Sequence, residues 1–521
     1  MKTKIFILSS ILLALALITL GFFTRLPDIS GKNISHAISN AEDTSLGQAM
    51  EPLLQQYPAQ SGVYLLRSGL DAFVARAILA RQAERSIDVQ YYMFHQDTVG
   101  RLLINELMDA ADRGVRVRLL VDDMYGSDAD DVWLSLDAHP SFEVRLFNPF
   151  IRGHSKNLQF VTRLKSVNHR MHSKSFTVDN QVSIVGGRNI GDEYFDADPD
   201  LAFSDLDVMT IGPVVPDVST AFDQYWNSAY AYPVSTLNPP VEAIPLDQLR
   251  KDLDDHFALK RTTDYVNALE NSAFSNALKA HTAKFSFAKA IVIHDSAEKL
   301  KRGDGWKSEL LIAQLAPYIE KAEEDYILVS PYFVPGARGA KAICALSDKG
   351  VRVRILTNSL VSNDVIAVHT GYIRHRKALL RCGVELYELN EQLKKLKGQR
   401  FNWLPGLSKS SLHAKTMAFD SKAMFVGSFN FDPRSMNLNN EIGILFYEPE
   451  ISRKSFEDFD QHIDEVAFSV ELLSDENGKE SLRWTGIEEG REVVFEDEPY
   501  ASFWQKLVAN AMRLLPADFM L

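Results

Sequence analysis

Two short stretches of the sequence carry residues that are suited to chemistry on a phosphate group. Each has a histidine, a lysine two residues later and an aspartate seven residues after the histidine, and each is followed at fixed distances by a glycine and an asparagine. The two sets are His172, Lys174, Asp179, Gly186 and Asn189, and His413, Lys415, Asp420, Gly427 and Asn430. One histidine–lysine pair is common on exposed strands, whereas two copies that keep the same offsets indicate a shared function.

The residue types define the chemistry. Lysine supplies a point charge for phosphate, and the asparagine amide adds hydrogen-bond donors. Histidine has the pKa suited to proton transfer near neutrality, and it can also attack phosphorus. If the two sets meet across a pseudo-twofold axis, one histidine can attack while the other protonates the departing oxygen, with a phosphohistidine between the two steps. No carboxylate cluster or His/Cys spacing accompanies the motifs, so we expect neither a metal nor a cofactor.

The residues around each motif predict a β-hairpin. His and Lys would lie on one face of its first strand because residues i and i+2 share a side. The turn contains Asp179 in one copy and Asp420 in the other, so we assign these aspartates to the site with a structural role. At the end of the second strand, Gly187 and Ser428 would let the backbone approach the site.

Each histidine should need a carboxylate that fixes its tautomer. Asp205 lies 33 residues after His172, and Glu441 lies 28 residues after His413. We expect these two acids to support the histidines, and we expect Asp207 to be an ordinary exposed acid.

Alternating helical and strand-like patterns predict an α/β fold. Strands are predicted at 86–94, 115–121, 142–147, 326–334, 351–357 and 384–388, and helices at 72–85, 101–113, 132–138, 308–322 and 364–381. The stretches 113–120 and 349–356 are nearly identical and are separated by 236 residues, against 241 for the two histidines. The chain therefore consists of two related α/β halves.

The domain boundaries follow from composition. We predict a membrane anchor at 1–27, a polar tether at 28–50, a first domain at 51–235, a linker with a helical insert at 236–285, a second domain at 286–465 and a C-terminal extension at 466–521. The uncharged stretch Ile5–Phe23 is long enough to cross a bilayer and lacks a cleavage site, which favours a retained single-pass anchor. The flanking charges weakly favour a catalytic body outside the cytoplasm.

Two further expectations concern the second half of the chain. The amphipathic helix 503–515 should dock on the body through its apolar face, and a membrane-surface role is the less favoured alternative. That face consists of Trp504, Leu507, Val508, Ala511, Leu514 and Leu515. Cys344 and Cys382 should be ordinary unpaired cysteines in helices, because two cysteines give no disulfide framework.

Charge patterning limits the partners. The formal net charge of −13 over 521 residues argues against a nucleic-acid binder, and we expect no nucleic-acid partner. Residues 144–178 and 392–419 nevertheless contain no acid, carry several Lys and Arg, and lead into the two histidine motifs. Such loops suit the headgroups of an anionic membrane, although single-stranded nucleic acid would also suit them and ordinary solvated loops are the simplest alternative.

The paired motifs, with their Gly-Gly-x-Asn and Gly-Ser-x-Asn followers, resemble the phospholipase D superfamily over roughly residues 50–450. Residues 186–194 (GGRNIGDEY), 330–335 (SPYFVP) and 427–435 (GSFNFDPRS) are similar to those of bacterial cardiolipin synthases, closest to the C-type. The resemblance implies two homologous α/β/α sandwich domains related by a pseudo-twofold axis, preceded by one transmembrane helix. A second N-terminal span, which many cardiolipin synthases carry, does not occur in this sequence.

The resemblance also implies a function. A phosphatidyl group would pass from a donor phospholipid to phosphatidylglycerol at the bacterial inner membrane, giving cardiolipin. The resemblance to the C-type implies phosphatidylethanolamine as the donor. His172 would be the nucleophile and His413 the acid/base, or the reverse, with Lys174, Lys415, Asn189 and Asn430 on the phosphate. The alternatives are a phospholipase D that hydrolyses lipid, a phosphodiesterase or nuclease, and an inactive lipid-binding scaffold. The sequence does not separate transfer from hydrolysis.

Overall fold

The computed structural model describes residues 25–198, 202–279, 283–300, 309–363, 365–390 and 411–512. The predicted span Ile5–Phe23 and most of the second basic stretch lie outside these residues. Within the described ranges, no helix combines the length and apolar character that crossing a bilayer would require. The described residues form two α/β domains of the same topology, as the internal repeat predicts.

A mixed sheet organises the first domain. Its order is β1-β8-β6-β5-β2-β3-β4-β9, with β2, β3 and β4 parallel and the other neighbours antiparallel. The strands of this domain, including the short β7 outside the sheet, are β1 (Ser61–Leu66), β2 (Ser86–Tyr91), β3 (Arg116–Asp122), β4 (Phe142–Phe147), β5 (Ser175–Val178), β6 (Val182–Gly186), β7 (Phe203–Ser204), β8 (Asp207–Ile211) and β9 (Ala231–Pro233).

The second domain repeats this pattern in the order β10-β17-β16-β15-β11-β12-β13-β18-β19-β20. Strand β10 also pairs with β1, so the two sheets are continuous. Because β18 pairs with β13, the predicted C-terminal extension begins inside this sheet. The strands are β10 (Ser286–His294), β11 (Asp325–Val329), β12 (Arg352–Thr357), β13 (Glu385–Leu389), β14 (Ser411–Leu412), β15 (Thr416–Phe419), β16 (Ala423–Gly427), β17 (Ile442–Tyr447), β18 (Ala467–Ser474), β19 (Glu480–Glu488) and β20 (Arg491–Phe495).

Helices cover both domains. Those of the first domain and the insert are Ser45–Gln56, Gly69–Gln82, Thr98–Asp112, Asp123–Gly126, Asp130–Asp137, Lys156–Thr162, Leu164–Val167, Val214–Trp226, Leu246–Phe257, Lys260–Glu270 and Ala273–Lys279. Those of the second domain and the extension are Leu311–Glu320, Gly336–Asp348, Ile366–Arg381, Pro433–Asn437, Pro449–Val466 and Phe503–Met512.

The repeated Val-Arg-Val-Arg strands bury one arginine in each domain. Arg118 is fully buried, forms two hydrogen bonds to Asp88 at 2.6 and 2.8 Å, and lies 4.8 Å from the ring of Phe222. Its counterpart Arg354 is likewise buried and lies 5.2 Å from the ring of Phe456. Phe222 and Phe456 belong to the equivalent helices Val214–Trp226 and Pro449–Val466. Paired and stacked arginines therefore attach the same helix to the same strand in both domains.

The predicted insert belongs to the first domain. Its helices supply buried apolar side chains to the core of that domain, among them Leu249, Leu253, Tyr265, Leu269 and Phe274. The insert thus completes a helical layer instead of separating the two domains.

The segment predicted as a tether is bound to the body. Residues 33–37 form hydrogen bonds with the first domain: the carbonyl of Asn33 accepts from Arg145, the carbonyl of Ser35 accepts from Arg118, and the amide of Ala37 donates to Asp223. The tether and the first domain share no sharp boundary, because the helix Ser45–Gln56 spans the predicted junction at residue 50.

Two predictions for the second half of the chain were wrong. In the helix Phe503–Met512 the buried side chain is Ala509, whereas Trp504 is 70% exposed and Leu507 and Val508 are also exposed. The described part of the apolar face therefore does not dock on the body, and Leu514 and Leu515 lie outside the described residues. The cysteines are not free: Cys344 and Cys382 form a disulfide, because the packed helices Gly336–Asp348 and Ile366–Arg381 bring their Cα atoms within 5.5 Å.

Candidate active site

Each histidine motif leads into the predicted hairpin. The paired strands are β5 and β6 in the first domain and β15 and β16 in the second. His172 and Lys174 immediately precede β5, and His413 and Lys415 immediately precede β15, so these residues lie beside the first strand and not within it. The hairpin is present as predicted, but its first strand begins a few residues later than the sequence pattern indicated.

Backbone hydrogen bonds from the opposite domain hold both histidines. The amide of His172 donates to the carbonyl of Asn440 at 2.8 Å, and the amide of His413 donates to the carbonyl of Ser204 at 2.7 Å. Strand β14, just before His413, pairs in parallel with β7 of the first domain. These contacts join the domains directly at the two motifs and bring the histidines into one site.

Each histidine is supported by a carboxylate from the opposite domain. Nδ1 of His172 lies 2.8 Å from Oε2 of Glu441, in the second domain, and Nδ1 of His413 contacts Oδ2 of Asp205, in the first. The carboxylate accepts the Nδ1 proton in each pair, which leaves Nε2 as the ring nitrogen for chemistry. The sequence identified both acids but not this crossed pairing.

Serines orient Glu441 further. Ser428 and Ser435 both donate hydrogen bonds to its carboxylate, the latter at 2.7 Å. Ser428 therefore holds the carboxylate, whereas we had expected it to bring the backbone close to the site. Gly187 leaves room for the other supporting carboxylate, because a Cβ at position 187 would lie 2.1 Å from Oδ1 of Asp205.

Burial and neighbouring charges set the protonation states. Burial lowers the pKa of His172 to about 4, against the opposing effect of Glu441. Burial also holds the pKa of His413 well below its usual value, and the charges of Lys415, Lys174 and His172 add to this effect. The influence of Lys174 and His172 on His413 shows that the two half-sites share one electrostatic environment.

The lysines and Glu441 respond to the same surroundings. Burial lowers the pKa of Lys174 well below its usual value. For Glu441, burial acts to raise the pKa, but His172, Lys174 and Ser428 outweigh it, and the pKa is lowered. Burial raises the pKa of Asp205, against the charge of Lys415. A bound anion would act against burial and would raise the pKa of Lys174.

Asn189 and Asn430 are both buried within the described structure. The Nδ2 atom of Asn189 donates to the hydroxyl of Tyr194 at 2.9 Å. The Oδ1 atoms of both asparagines have no hydrogen-bond partner among the described residues. Because amide oxygen and nitrogen are interchangeable by rotation, Asn189 can accept from Tyr194 instead and present its N–H₂ group to an anion.

The two aspartates of the motifs lie away from the histidines and tie the hairpin turn to the neighbouring strand. Asp179 accepts hydrogen bonds from the amides of Glu84, Arg85 and Ser86. Asp420 accepts equivalent bonds from three consecutive amides, those of residues 323–325. Both aspartates have φ near +50°, a left-handed conformation that Asp tolerates in turns.

Three aromatic residues that the sequence did not assign to the site flank the imidazoles. Tyr92 lies 5.0 Å from the His172 ring, and Tyr194 and Phe203 lie 5.1 and 5.4 Å from the His413 ring. Tyr194 could have been found, because it ends the stretch 186–194 that follows the first motif. Tyr92 could not, because it comes from a distant strand end.

One acid had a different environment from the one expected. Asp207 is fully buried and binds Arg76 at 2.8 Å, so the prediction that it is exposed was wrong. The reason is that β8, which begins at Asp207, lies inside the sheet between β1 and β6.

Two clusters of His and carboxylate residues could hold a metal ion among the described residues, and neither includes His172 or His413. They are His95, Asp97 and Glu193, and His369, Glu388 and Glu498. In the first, Asp97 already caps the helix Thr98–Asp112, and in the second, Arg376 binds both glutamates. The expectation of a metal-independent site stays a prediction.

Known proteins share this architecture. The family described as "Cardiolipin synthase, PLD-like domain" matches residues 78–226 and again 315–463. Cardiolipin synthase C of Escherichia coli (strain K12) is 40% identical over 476 residues, which cover 91% of this chain and 99% of that protein. A cardiolipin synthase of Staphylococcus aureus (strain Mu50) is 25% identical over 417 residues, which cover 79% and 68%. The crystal structure of phosphatidylserine synthase from Haemophilus influenzae Rd KW20 shares the fold, with a TM-score of 0.52, 14% identity and coverage of 81% and 91%.

Proposed function

Because this chain belongs to the phospholipase D-like cardiolipin synthase family and is a phospholipid phosphatidyltransferase, we propose that it makes cardiolipin by transferring a phosphatidyl group to phosphatidylglycerol. One observation carries the proposal. Two neutral imidazoles, His172 and His413, are each held at Nδ1 by a carboxylate of the other domain and share their surroundings with two lysines. This arrangement suits a displacement at phosphorus in two steps.

In the first step, Nε2 of His172 attacks the donor phosphorus. With a pKa of about 4, His172 has its lone pair available at neutral pH. The P–N bond forms, the bond from phosphorus to the headgroup oxygen breaks, and that oxygen takes a proton from His413. Binding of the phosphodiester anion offsets the lysine charges that lower the pKa of His413, and so favours the protonated acid that this step needs.

In the second step, a hydroxyl of phosphatidylglycerol attacks the phosphohistidine. His413, now neutral, takes the hydroxyl proton, the P–N bond breaks, and cardiolipin leaves with His172 regenerated. Asp205 stabilises the imidazolium form of His413. Lys174 and Lys415 bind the phosphate oxygens, and the amides of Asn189 and Asn430 add donors. Phosphatidylethanolamine is the donor that we propose, following the resemblance to C-type enzymes.

We place the enzyme at the bacterial inner membrane, anchored by residues 1–27, with its catalytic body on the periplasmic side, which is the oxidising one. The apolar stretch Ile5–Phe23 supports the anchor. The disulfide between Cys344 and Cys382 supports the side, because disulfides persist outside the cytoplasm and are rare inside it.

The test is expression of the full chain in a bacterium that lacks cardiolipin, followed by mass spectrometry of its lipids. Cardiolipin should appear with the wild type and with His462→Ala, a control at a partly exposed histidine of the helix Pro449–Val466. It should not appear with His172→Ala or His413→Ala. Phosphatidic acid without cardiolipin would indicate hydrolysis instead of transfer, and cardiolipin with His172→Ala would refute the assigned nucleophile.

A further inference from the structure

We propose that Leu158, Val161 and Leu164, with Lys156 and Arg163, form the surface through which the catalytic body contacts an anionic phospholipid bilayer. We call these residues the bilayer-contact surface. The proposal rests on the proposed function, since it explains how a lipid in a membrane reaches the buried His172.

The aliphatic side chains of this surface are unusually exposed. Val161 is 80% exposed, and Leu158 and Leu164 are each 48% exposed. They recur every three residues along the helices Lys156–Thr162 and Leu164–Val167. Large aliphatics that share a surface with basic residues are typical of interfacial helices, whose apolar face enters the boundary between headgroups and acyl chains.

The helices that carry these side chains are firmly attached to the domain. Gln159 is buried, and its amide group bonds both the N–H and the carbonyl of Ile151, at 2.8 and 2.9 Å. The Phe160 ring packs 5.6 Å from that of Phe150, which is itself buried. The three aliphatics are therefore held outward by the fold.

The sequence around this surface is basic, although the chain as a whole is acidic. Residues 144–178 contain no acid, in a protein of net charge −13. Three of the arginines in this stretch are buried and do not contribute to the surface: Arg145, Arg152 and Arg170. The basic residues left beside the aliphatics are Lys156, which is partly exposed and lies 3.9 Å from the carboxylate of Asp128, and Arg163, which donates to the side chain of Gln159 at 2.8 Å. Their attraction to anionic headgroups selects a bilayer as the occupant.

Hydrogen bonds hold the segment that connects this surface to the catalytic histidine. The side-chain amide of Asn148 donates to the carbonyls of Ser166 and His169, at 2.7 and 2.8 Å. Arg170, which precedes His172 by two residues, donates to the carbonyl of Val167 at 2.8 Å. Leu164 precedes His172 by eight residues, so their Cα atoms are separated by at most about 29 Å. This short connection limits how far the headgroups of a bilayer at this surface can lie from the site.

A fluorophore at position 161 tests the contact. The full chain with Val161→Cys, labelled at that single free thiol, is reconstituted into vesicles that contain phosphatidylglycerol. We expect quenching by lipid-attached quenchers and protection from iodide. The matched control is Val241→Cys, at a site 46% exposed in the linker, which should show the reverse. Equal access of iodide to both positions would overturn the proposal, as would lipid quenching of a label at Trp504→Cys but not at 161.

Activity separates this proposal from the proposed function. Val161→Asp should lower turnover of lipid in vesicles by about tenfold or more, which corresponds to one aliphatic side chain lost from the interface. It should leave turnover of a short-chain, monomeric phospholipid unchanged, and Val241→Asp should change neither. Equal loss on both substrates would overturn the bilayer contact. A wild type that turned over neither substrate would refute the proposed function, while the label at 161 would still report the contact.

Discussion

Replacing Glu441 with Gln tests the exchange of carboxylates between the domains. The Glu441 carboxylate accepts the Nδ1 proton of His172 at 2.8 Å and so leaves a lone pair on Nε2. A glutamine that turns its N–H₂ group to Nδ1 makes that nitrogen an acceptor and places the proton on Nε2, where it blocks attack. We expect phosphohistidine formation to slow by about 10²–10⁴-fold, or about 3–5 kcal/mol in the activation free energy, as for other carboxylates that set a histidine tautomer.

The assay is single-turnover formation of the acid-labile phosphoryl-enzyme, followed by rapid quench. Ser435→Ala is the matched control, because it removes one hydrogen bond to Glu441 at 2.7 Å and leaves the contact with His172 intact. We expect that control to lose only a few-fold in rate. If Glu441→Gln formed the intermediate at the wild-type rate and slowed only its transfer to phosphatidylglycerol, the assignment of His172 as the nucleophile oriented by Glu441 would be wrong.

Three further predictions concern stability and geometry. Because the folded pKa of His172 lies near 4, below its ordinary 6.5, the unfolded chain binds the proton first as pH falls, and the contribution of this histidine to stability drops by about 2 kcal/mol between pH 7.5 and 5. Urea denaturation should show a smaller drop for His172→Asn. Gly187→Ala should displace Asp205 from His413 and lower turnover by about 10–100-fold, with near-normal thermal unfolding. Cys344→Ser should destabilise the fold by about 3–4 kcal/mol, and the disulfide of the wild type in intact cells should resist thiol alkylation.

The repeated half-sites could be predicted because the hairpin is a local structure. The spacing between His172 and Asn189 recurs after His413, and a strand, a turn and a second strand account for that spacing. The strand predicted at 142–147 matches β4, and the other strands differ by a few residues at their ends. Two domains of one topology follow from the same repeat.

The pairing of side chains across the domains could not be predicted, since it depends on how the sheets meet. Nothing in the sequence near Asp205 or Glu441 shows which histidine each contacts. The burial of charged side chains could not be predicted either. Arg118 occupies the position of an outward-facing residue in an alternating strand, yet the helix Val214–Trp226 covers it. The apolar face of the C-terminal helix was misjudged for the converse reason, because amphipathic spacing does not determine which side meets the body.

The crossed carboxylates also bear on why the two domains belong to a single chain. A symmetric dimer of one-domain subunits would have to place the same acid beside both imidazoles. Here the acids differ by one methylene, with aspartate at position 205 and glutamate at position 441. Because the two domains are fused in one chain, their supporting acids can differ. Each histidine is then paired with a carboxylate, but the two carboxylates have side chains of different length, so each histidine can be adapted to its own step of the reaction.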